Sequence, residues 1–168
     1  PEDRVIIVDP EDEYSDIGRA FGAQMVDISI GSKTHINLLD LPDLDRLDDE
    51  DDDPIGDKAN LLMGLFESIL SEVTDAQIGI IDRVTGMTYE RYLTDHYTPT
   101  LKEWHQVLKE QPEPEAQDLA LAVETYTTGS QDIFAHNTNV DLNHRFVIFN
   151  LKKLSHKLKP FALMVIQD

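Results

Sequence analysis

Three carboxylates, Asp9, Glu11 and Glu13, follow directly on four consecutive apolar residues at 5–8. Such an apolar run predicts a buried central strand covered on both faces. Asp9-Pro10 should end it, because proline cannot donate a hydrogen bond to a sheet ladder. Functional groups of open α/β sheets gather just past the carboxyl ends of strands. The three acids could therefore position Mg²⁺ or a water molecule beside a nucleotide. They could equally be solvated acids of a turn, one of them capping a helix.

A nucleotide site also needs a phosphate cradle, and the sequence does not supply one. The phosphate-binding loop requires glycine followed directly by lysine, whereas no Gly-Lys pair occurs here. The similar stretch at 31–34, Gly-Ser-Lys-Thr, predicts a plain turn. Six histidines are present without a zinc-binding spacing, and no nucleophile-elbow motif occurs. We expect no metal site formed by this chain alone.

Composition narrows the classes of partner. The chain has 168 residues, enough for one domain with a core, and a formal net charge of −19. Such a charge repels phosphate backbones and anionic membranes, so direct nucleic-acid binding is not expected. Cysteine is absent, which excludes disulfides. No apolar run approaches the roughly 20 residues of a transmembrane segment.

The order of predicted elements indicates an α/β fold. A strand at 4–9, a short helix at 15–21 ending near Gly22, and a strand at 24–29 are typical of such folds. Residues 48–53 are all acidic and predict an extended loop. Residues 57–130 carry helical periodicity. Another strand at 145–151 and a last helix at 155–168 follow. The predicted division is a sheet fragment at 1–42, an acidic loop at 43–56, a helical insertion at 57–142, and a return to the sheet at 143–168.

Local signals place the helix ends. Thr74 and Gln77 have the spacing of a capping box. Gly86 should end or bend the helix that follows. Thr98-Pro99-Thr100 should begin another helix, and Pro112 and Pro114 should separate it from a fourth. Gly129 lies where a helix commonly ends.

A family resemblance emerges from several ordered segments. The segment 5–14, V-I-I-V-D-P-E-D-E-Y, resembles the strand and D-P-E-x-E-Y turn of conjugation and type IV secretion ATPases of the VirB-four/TraC/TraE kind. Further similarities follow in the family's order, and they cover essentially the whole chain. They are Ser29 to Ser32, Ile36 to Asp40, Ile80 to Arg83 with Tyr89 and Tyr92, Pro99 to Leu101, and Phe134 to Asp141 leading into Phe146 to Leu151. Leu38 replaces a usual proline, and Asn150 a common acidic residue.

The resemblance implies a partial RecA-like P-loop NTPase sheet with a mainly helical insertion. It implies an internal fragment between the Walker A and Walker B segments of an ATP-hydrolysing motor. ATP and Mg²⁺ would then bind the parent protein, and the fragment alone would bind neither and be inactive. Asp9, Glu11 and Glu13 would face the nucleotide, with Glu13 and Asp9 positioning water or Mg²⁺. The parent would form a homo-oligomer, a hexamer, and work in the cytoplasm at the inner face of the cell membrane, through channel proteins.

Two other hypotheses remain open. The net charge and the broad helical faces fit a non-enzymatic acidic module that binds a basic protein. A regulatory phosphate or metal binder is also conceivable, although the ligand spacings disfavour it.

Overall fold

The computed structural model describes residues 4–42 and 53–168. Within these residues the chain forms three strands and six helices. In chain order they are β1 (Val5–Asp9), α1 (Ser15–Ala20), β2 (Gln24–Asp27), α2 (Pro54–Ile69), α3 (Asp75–Tyr92), α4 (Leu101–Lys109), α5 (Pro114–Thr127), β3 (Phe146–Asn150) and α6 (Lys159–Gln167). The predicted α/β class, with helices inserted between strands of one sheet, is confirmed.

The sheet is parallel and has the order β1-β3-β2 among the described strands. The last strand in sequence is therefore the middle one, and Val147 and Ile148 in it are fully buried. The expectation of a central β1 covered on both faces is wrong in this structure. Val5 and Ile6 are 46% and 48% exposed, and β1 is an edge strand that pairs with β3 and with no other described strand.

A close contact holds α1 against the sheet. Gly18 lies so near the middle strand that a Cβ at this position would collide with Ile148 Cδ1. Gly22, at φ +71°, then turns the chain into β2, as the sequence predicted. A side chain at position 18 would therefore require Ile148 to move, and one at position 22 would require a backbone conformation that L-residues rarely adopt.

The helices α2 to α5 pack on one another in chain order, and α2 also contacts α6. Trp104 is fully buried at their centre, with its ring centroid 5.3 Å from that of Phe66. Its indole Nε1–H donates to Thr85 Oγ1 at 3.0 Å, so the polar end of the ring is satisfied. The core of the insertion is therefore formed by its own helices.

The predicted helix starts at Thr74 and at Thr98-Pro99-Thr100 are confirmed. Thr74 Oγ1 accepts from the Gln77 backbone N–H, and the Gln77 side chain accepts from the Thr74 N–H, completing a capping box. Thr100 and Glu103 form a second capping box at the start of α4. These reciprocal bonds satisfy N–H groups that the first helical turn leaves without partners.

A helix end at Gly86, one of the two alternatives predicted there, and the predicted start of the last helix at Ser155 are wrong. α3 runs through Gly86 to Tyr92, because the residues around the glycine bury one face of the helix. A glycine inside a helix costs only about 1 kcal/mol relative to alanine, which such packing outweighs. The last helix begins at Lys159 rather than Ser155, since residues 155–158 form a turn before Pro160 enters the first helical turn.

The acidic run at 48–53 falls mainly on residues 43–52, which lie outside the described residues. Asp53 is described, and its Oδ1 accepts from Gly56 N–H at 2.9 Å as the N-cap of α2. That helix begins at Pro54, three residues before the predicted helical segment.

A network of hydrogen bonds connects the segment after β2 to the loop before β3. The backbone N–H of His35 donates to Asn139 Oδ1 at 2.7 Å, and that of Asn37 donates to Thr138 Oγ1 at 2.8 Å. The rings of His35 and His136 stack with centroids 4.3 Å apart. The loops on either side of the insertion are therefore fixed to each other.

Candidate functional site

The turn after β1 is organised by Asp9. This residue is 1% exposed, and its two carboxylate oxygens accept the backbone N–H groups of Glu13 at 3.0 Å and Tyr14 at 2.9 Å. Its backbone carbonyl also accepts from Leu151 N–H at 2.9 Å, just past the end of β3. The contacts of Asp9 are thus those of a group that shapes the turn.

A second carboxylate, Asp12, joins the turn to β3. Asp12 has φ +65°, in the left-handed region that Asp adopts more readily than most residues. Its Oδ1 accepts from Ser15 Oγ and from Asn150 Nδ2, the latter at 2.6 Å. The hydrogen bond from Ser15 is the largest cause that lowers the pKa of Asp12, with smaller contributions from Lys152 and Asn150. The turn is therefore fixed at two points, one in β1 and one at the end of β3.

The other two predicted acids point away from this network. Glu11 is exposed, and its Oε1 lies 3.2 Å from Lys159 Nζ at the start of α6. The same ammonium donates to the Pro10 carbonyl at 3.1 Å. Glu13 is exposed, and its side chain forms no hydrogen bond or ion pair with another described residue. Asp9, Glu11 and Glu13 thus share one turn, but their carboxylates do not form one cluster.

A cleft of about 160 Å³ lies beside this turn, where the carboxyl ends of β2 and β3 meet. Its lining combines acids, bases and polar groups: Asp12, Arg19, Asp27, Ile28, Ser29, Asn150, Lys152 and Lys153. The cationic side chains could hold an anionic group, because lysine and arginine are the common phosphate-binding side chains. The arrangement is typical of a strand-end site of an α/β sheet.

The lysines and the asparagine of this cleft were missed by the sequence reasoning. Asn150 is the last residue of β3, and Lys152 and Lys153 come directly after it, just as Asp9 ends β1 and Glu11 and Glu13 come after it. Parallel strands end at the same edge of a sheet, so the residues after the third strand carried a usable signal.

The turn predicted at Gly31 is confirmed, with φ +76° at the glycine and the Ser32 hydroxyl donating to the Asp27 carbonyl at 2.7 Å.

The donor set does not fit a complete Mg–ATP site. The oxygens of Asp9 and Asp12 already accept hydrogen bonds from within the turn, and Glu11 pairs with Lys159. Over the two described ranges, no three His, Asp or Glu side chains come together as metal ligands would. Without a Gly-Lys phosphate loop in the sequence, phosphate contacts would rest on the lysines of the cleft. We therefore derive no catalytic step through a nucleotide from these residues.

Comparison with known proteins defines the fold. No protein-family model matches the chain, and no curated protein matches its sequence. The solved structure of VirB4 of Thermoanaerobacter pseudethanolicus superimposes with a TM-score of 0.82 over 98% of this chain, at 22% sequence identity. The chain has a VirB4-like fold. It covers 66% of that VirB4 chain, just under two thirds.

The VirB4 match confirms the sequence resemblance at the level of the fold, an α/β fold with a parallel sheet and a mainly helical insertion. None of the helices among residues 4–42 and 53–168 combines the length and apolar character that a membrane span requires.

Proposed function

We propose that this chain is a region of a type IV secretion motor, an ATPase that energises secretion or conjugative DNA transfer. The observation that supports the proposal is the VirB4-like fold, which extends over 98% of the chain. The ordered sequence segments that resemble this family, above all D-P-E-D-E-Y at 9–14, support it independently.

In this proposal the turn after β1 faces the nucleotide of the parent protein. Asp9 acts as a positioning residue, because its carboxylate holds the backbone of Glu13 and Tyr14. Glu13, whose exposed side chain has no described partner, is the best placed to orient water or Mg²⁺. ATP and Mg²⁺ bind only when the phosphate loop of the parent completes the site.

The wider setting follows from the same proposal. The parent protein works as a homo-oligomer, a hexamer, with channel proteins at the inner, cytoplasmic face of the cell membrane. The chain by itself turns over no ATP, because preorganised phosphate contacts supply most of the catalysis of phosphoryl transfer.

The test is ATP turnover by the full-length gene product and three variants. Glu13→Gln should lower turnover by about 100-fold with an unchanged melting temperature, as expected for loss of a group acting on a reacting water. Asp9→Asn should lower turnover and melting temperature together, because one backbone N–H loses its charged acceptor. Glu11→Gln is the matched control and should change turnover less than about twofold.

Two results would contradict the proposal. One is a full-length gene product that lacks a G-x-x-x-x-G-K-[ST] segment upstream of residue 1. The other is ATP turnover by the isolated 168-residue chain, because the phosphate contacts needed for the reaction are absent from it.

A second candidate function is a non-enzymatic module that binds a basic protein. The net charge of −19 favours it. A full-length product that turns over no ATP but binds basic proteins in a salt-sensitive manner would make it the better account.

A further inference from the structure

The free edge of β1 lacks the features that normally protect the edge of a sheet. Natural edge strands carry charged side chains, proline or a bulge, which keep other strands from pairing with them. Residues 5–8 are Val-Ile-Ile-Val, and the register of β1 with β3 is continuous. Val5 and Ile6 are nevertheless almost half exposed. Such an apolar run is typical of an interior strand of a parallel sheet, so the free edge indicates a further neighbour.

Two residues of β1 direct their backbone polar groups to this free edge. The Val5 N–H donates to a carbonyl just before β3, and the Asp9 carbonyl accepts from an N–H just after it. The direction of the backbone groups alternates along a strand, so those of Ile6 and Val8 point away from β3. No described strand lies on that side of β1. These groups form a row with which a parallel strand could pair.

The helices α1 and α6 lie on opposite faces of the sheet. α1 packs against Ile148, because Gly18 closely approaches the Cδ1 atom of that residue. The next side chain in β3, that of Phe149, points to the other face, since side chains alternate along a strand. There it lines a cavity of about 250 Å³ together with Val165 and Ile166 of α6. The connections through the two helices therefore cross opposite faces.

Handedness then decides where a strand after α6 must lie. Connections between parallel strands are right-handed in about 98% of cases, so connections on opposite faces of one sheet run in opposite directions. The connection through α1 runs from β1 across β3 to β2. A connection through α6 therefore runs from β3 towards β1. Because β3 already has a neighbour on each side, the next parallel strand can only be added beyond β1.

The end of α6 lies at the start of the same free edge. Asp168, directly after α6, lines the 250 Å³ cavity together with Arg4 and Ile6. A strand parallel to β1 has to begin at that end of β1, where Arg4 precedes the strand. The chain covers 66% of the VirB4 chain, so a protein of that length has residues beyond these 168. Residues after Asp168 could thus reach the edge through a short connection.

We propose that the residues following Asp168 in the parent protein form a strand that pairs in parallel with the free edge of β1. The inference rests on the proposed function only in that it requires a parent longer than this chain. Parallel strands end at the same edge of a sheet, so the residues after the added strand lie beside the turn with Asp9 and Glu13. The turn is therefore completed by groups that residues 1–168 do not contain.

The experiment is photo-cross-linking of the full-length gene product through Ile6→p-benzoylphenylalanine. The captured peptide should lie within about 15 residues after position 168, the reach of a short connection and one strand. The matched control is Leu121→p-benzoylphenylalanine, at a residue of α5 that is 72% exposed, and it should not capture that peptide. Capture of a peptide from elsewhere would overturn the proposal, as would capture between isotope-labelled and unlabelled copies, or no capture at position 6.

Amide hydrogen exchange in the full-length product provides a second readout. The amides of Ile6 and Val8 should exchange within about 10-fold of that of Ile7, which faces β3. Exchange more than about 100-fold faster at both would overturn the proposal.

ATP turnover of the same preparation tests the proposed function separately. Turnover together with fast exchange at Ile6 and Val8 would overturn the strand pairing alone. Slow exchange and the expected cross-link without turnover would support the pairing and contradict the motor.

Discussion

The helical insertion and the strand sheet differ in how they bury apolar surface. The insertion encloses its largest side chains, with Trp104 and Phe66 fully buried and in ring contact. The sheet leaves Val5 and Ile6 about half exposed, and Phe21 beside it is 78% exposed. Both regions have apolar sequences, so the difference lies in the number of elements that cover each one.

This difference bears on the candidate site. The turn after β1 follows a strand that other elements cover only in part. Apolar packing therefore contributes little to the position of the turn. Its shape depends instead on the hydrogen bonds of Asp9 and on those of Asp12 with Ser15 and Asn150. We infer that the insertion is the stable part of the chain and that the turn is held mainly by local polar contacts.

The largest expected effect comes from the core of the insertion. Trp104→Ala should lower the free energy of unfolding by about 3–5 kcal/mol, because it leaves a cavity and removes the indole donor from the Thr85 hydroxyl, which keeps its own hydrogen bond to the Ile81 carbonyl. Phe21→Ala, the same class of change on an exposed aromatic near the sheet, should cost less than about 0.5 kcal/mol. Urea denaturation measures both. Similar losses of stability in the two variants would contradict the inference that the insertion is packed more completely than the sheet.

A smaller effect is expected at the turn, from Asn150→Asp. This change places a carboxylate against the Asp12 carboxylate, where Asn150 Nδ2 now donates. The melting temperature should fall through like-charge repulsion. The double variant Asn150→Asp with Asp12→Asn restores one donor and one acceptor and has the net charge of the wild-type chain. It should recover most of the lost melting temperature. No recovery would mean that the turn does not depend on this hydrogen bond.

The smallest effect concerns the two stacked histidines. Burial, followed by the nearby His136, lowers the pKa of His35 from its ordinary value of 6.5, although Asp132 opposes the shift and Lys102 adds to it. The folded state therefore prefers neutral His35. The contribution of His35 to the free energy of unfolding is fully present above its ordinary pKa. It is lost as the pH falls below that value, because the unfolded chain then binds a proton more readily than the folded chain does.

Urea midpoints at about pH 7.5 and about pH 5.5 measure this pH dependence. The loss of stability between them should be smaller in His35→Gln than in the wild-type chain. His96→Gln, at an exposed histidine, is the control and should leave the loss unchanged. An equal loss in all three chains would assign the pH dependence to other groups.

Local signals in the sequence were enough to predict much of the fold. The capping box at Thr74, the helix start at Thr98-Pro99-Thr100 and the glycine turn at Gly22 depend on signals within a few residues, so their patterns can be recognised without the tertiary structure. The predicted helix end at Gly86 failed because the burial of neighbouring residues decides whether a helix continues. Burial depends on the tertiary structure, which the local sequence does not reveal.

The candidate site was predicted less completely for the same reason. Asp9, Glu11 and Glu13 were found as one segment, but Asp9 accepts from Leu151 and Glu11 pairs with Lys159, and both partners lie far away in the sequence. Those contacts depend on the strand order β1-β3-β2. The sequence pattern of β1 does not reveal which strand lies beside it.

The most direct test of the account is amide hydrogen exchange in the full-length gene product, with and without Mg²⁺ and a non-hydrolysable ATP analogue. We predict slower exchange with nucleotide at Glu13 and Tyr14, whose N–H groups bond to Asp9, and at residues 150–153. Exchange in α4 and α5 should not change, because the packed insertion lies apart from the turn. Unchanged exchange at the turn, or protection confined to α4 and α5, would contradict a nucleotide-facing role for D-P-E-D-E-Y.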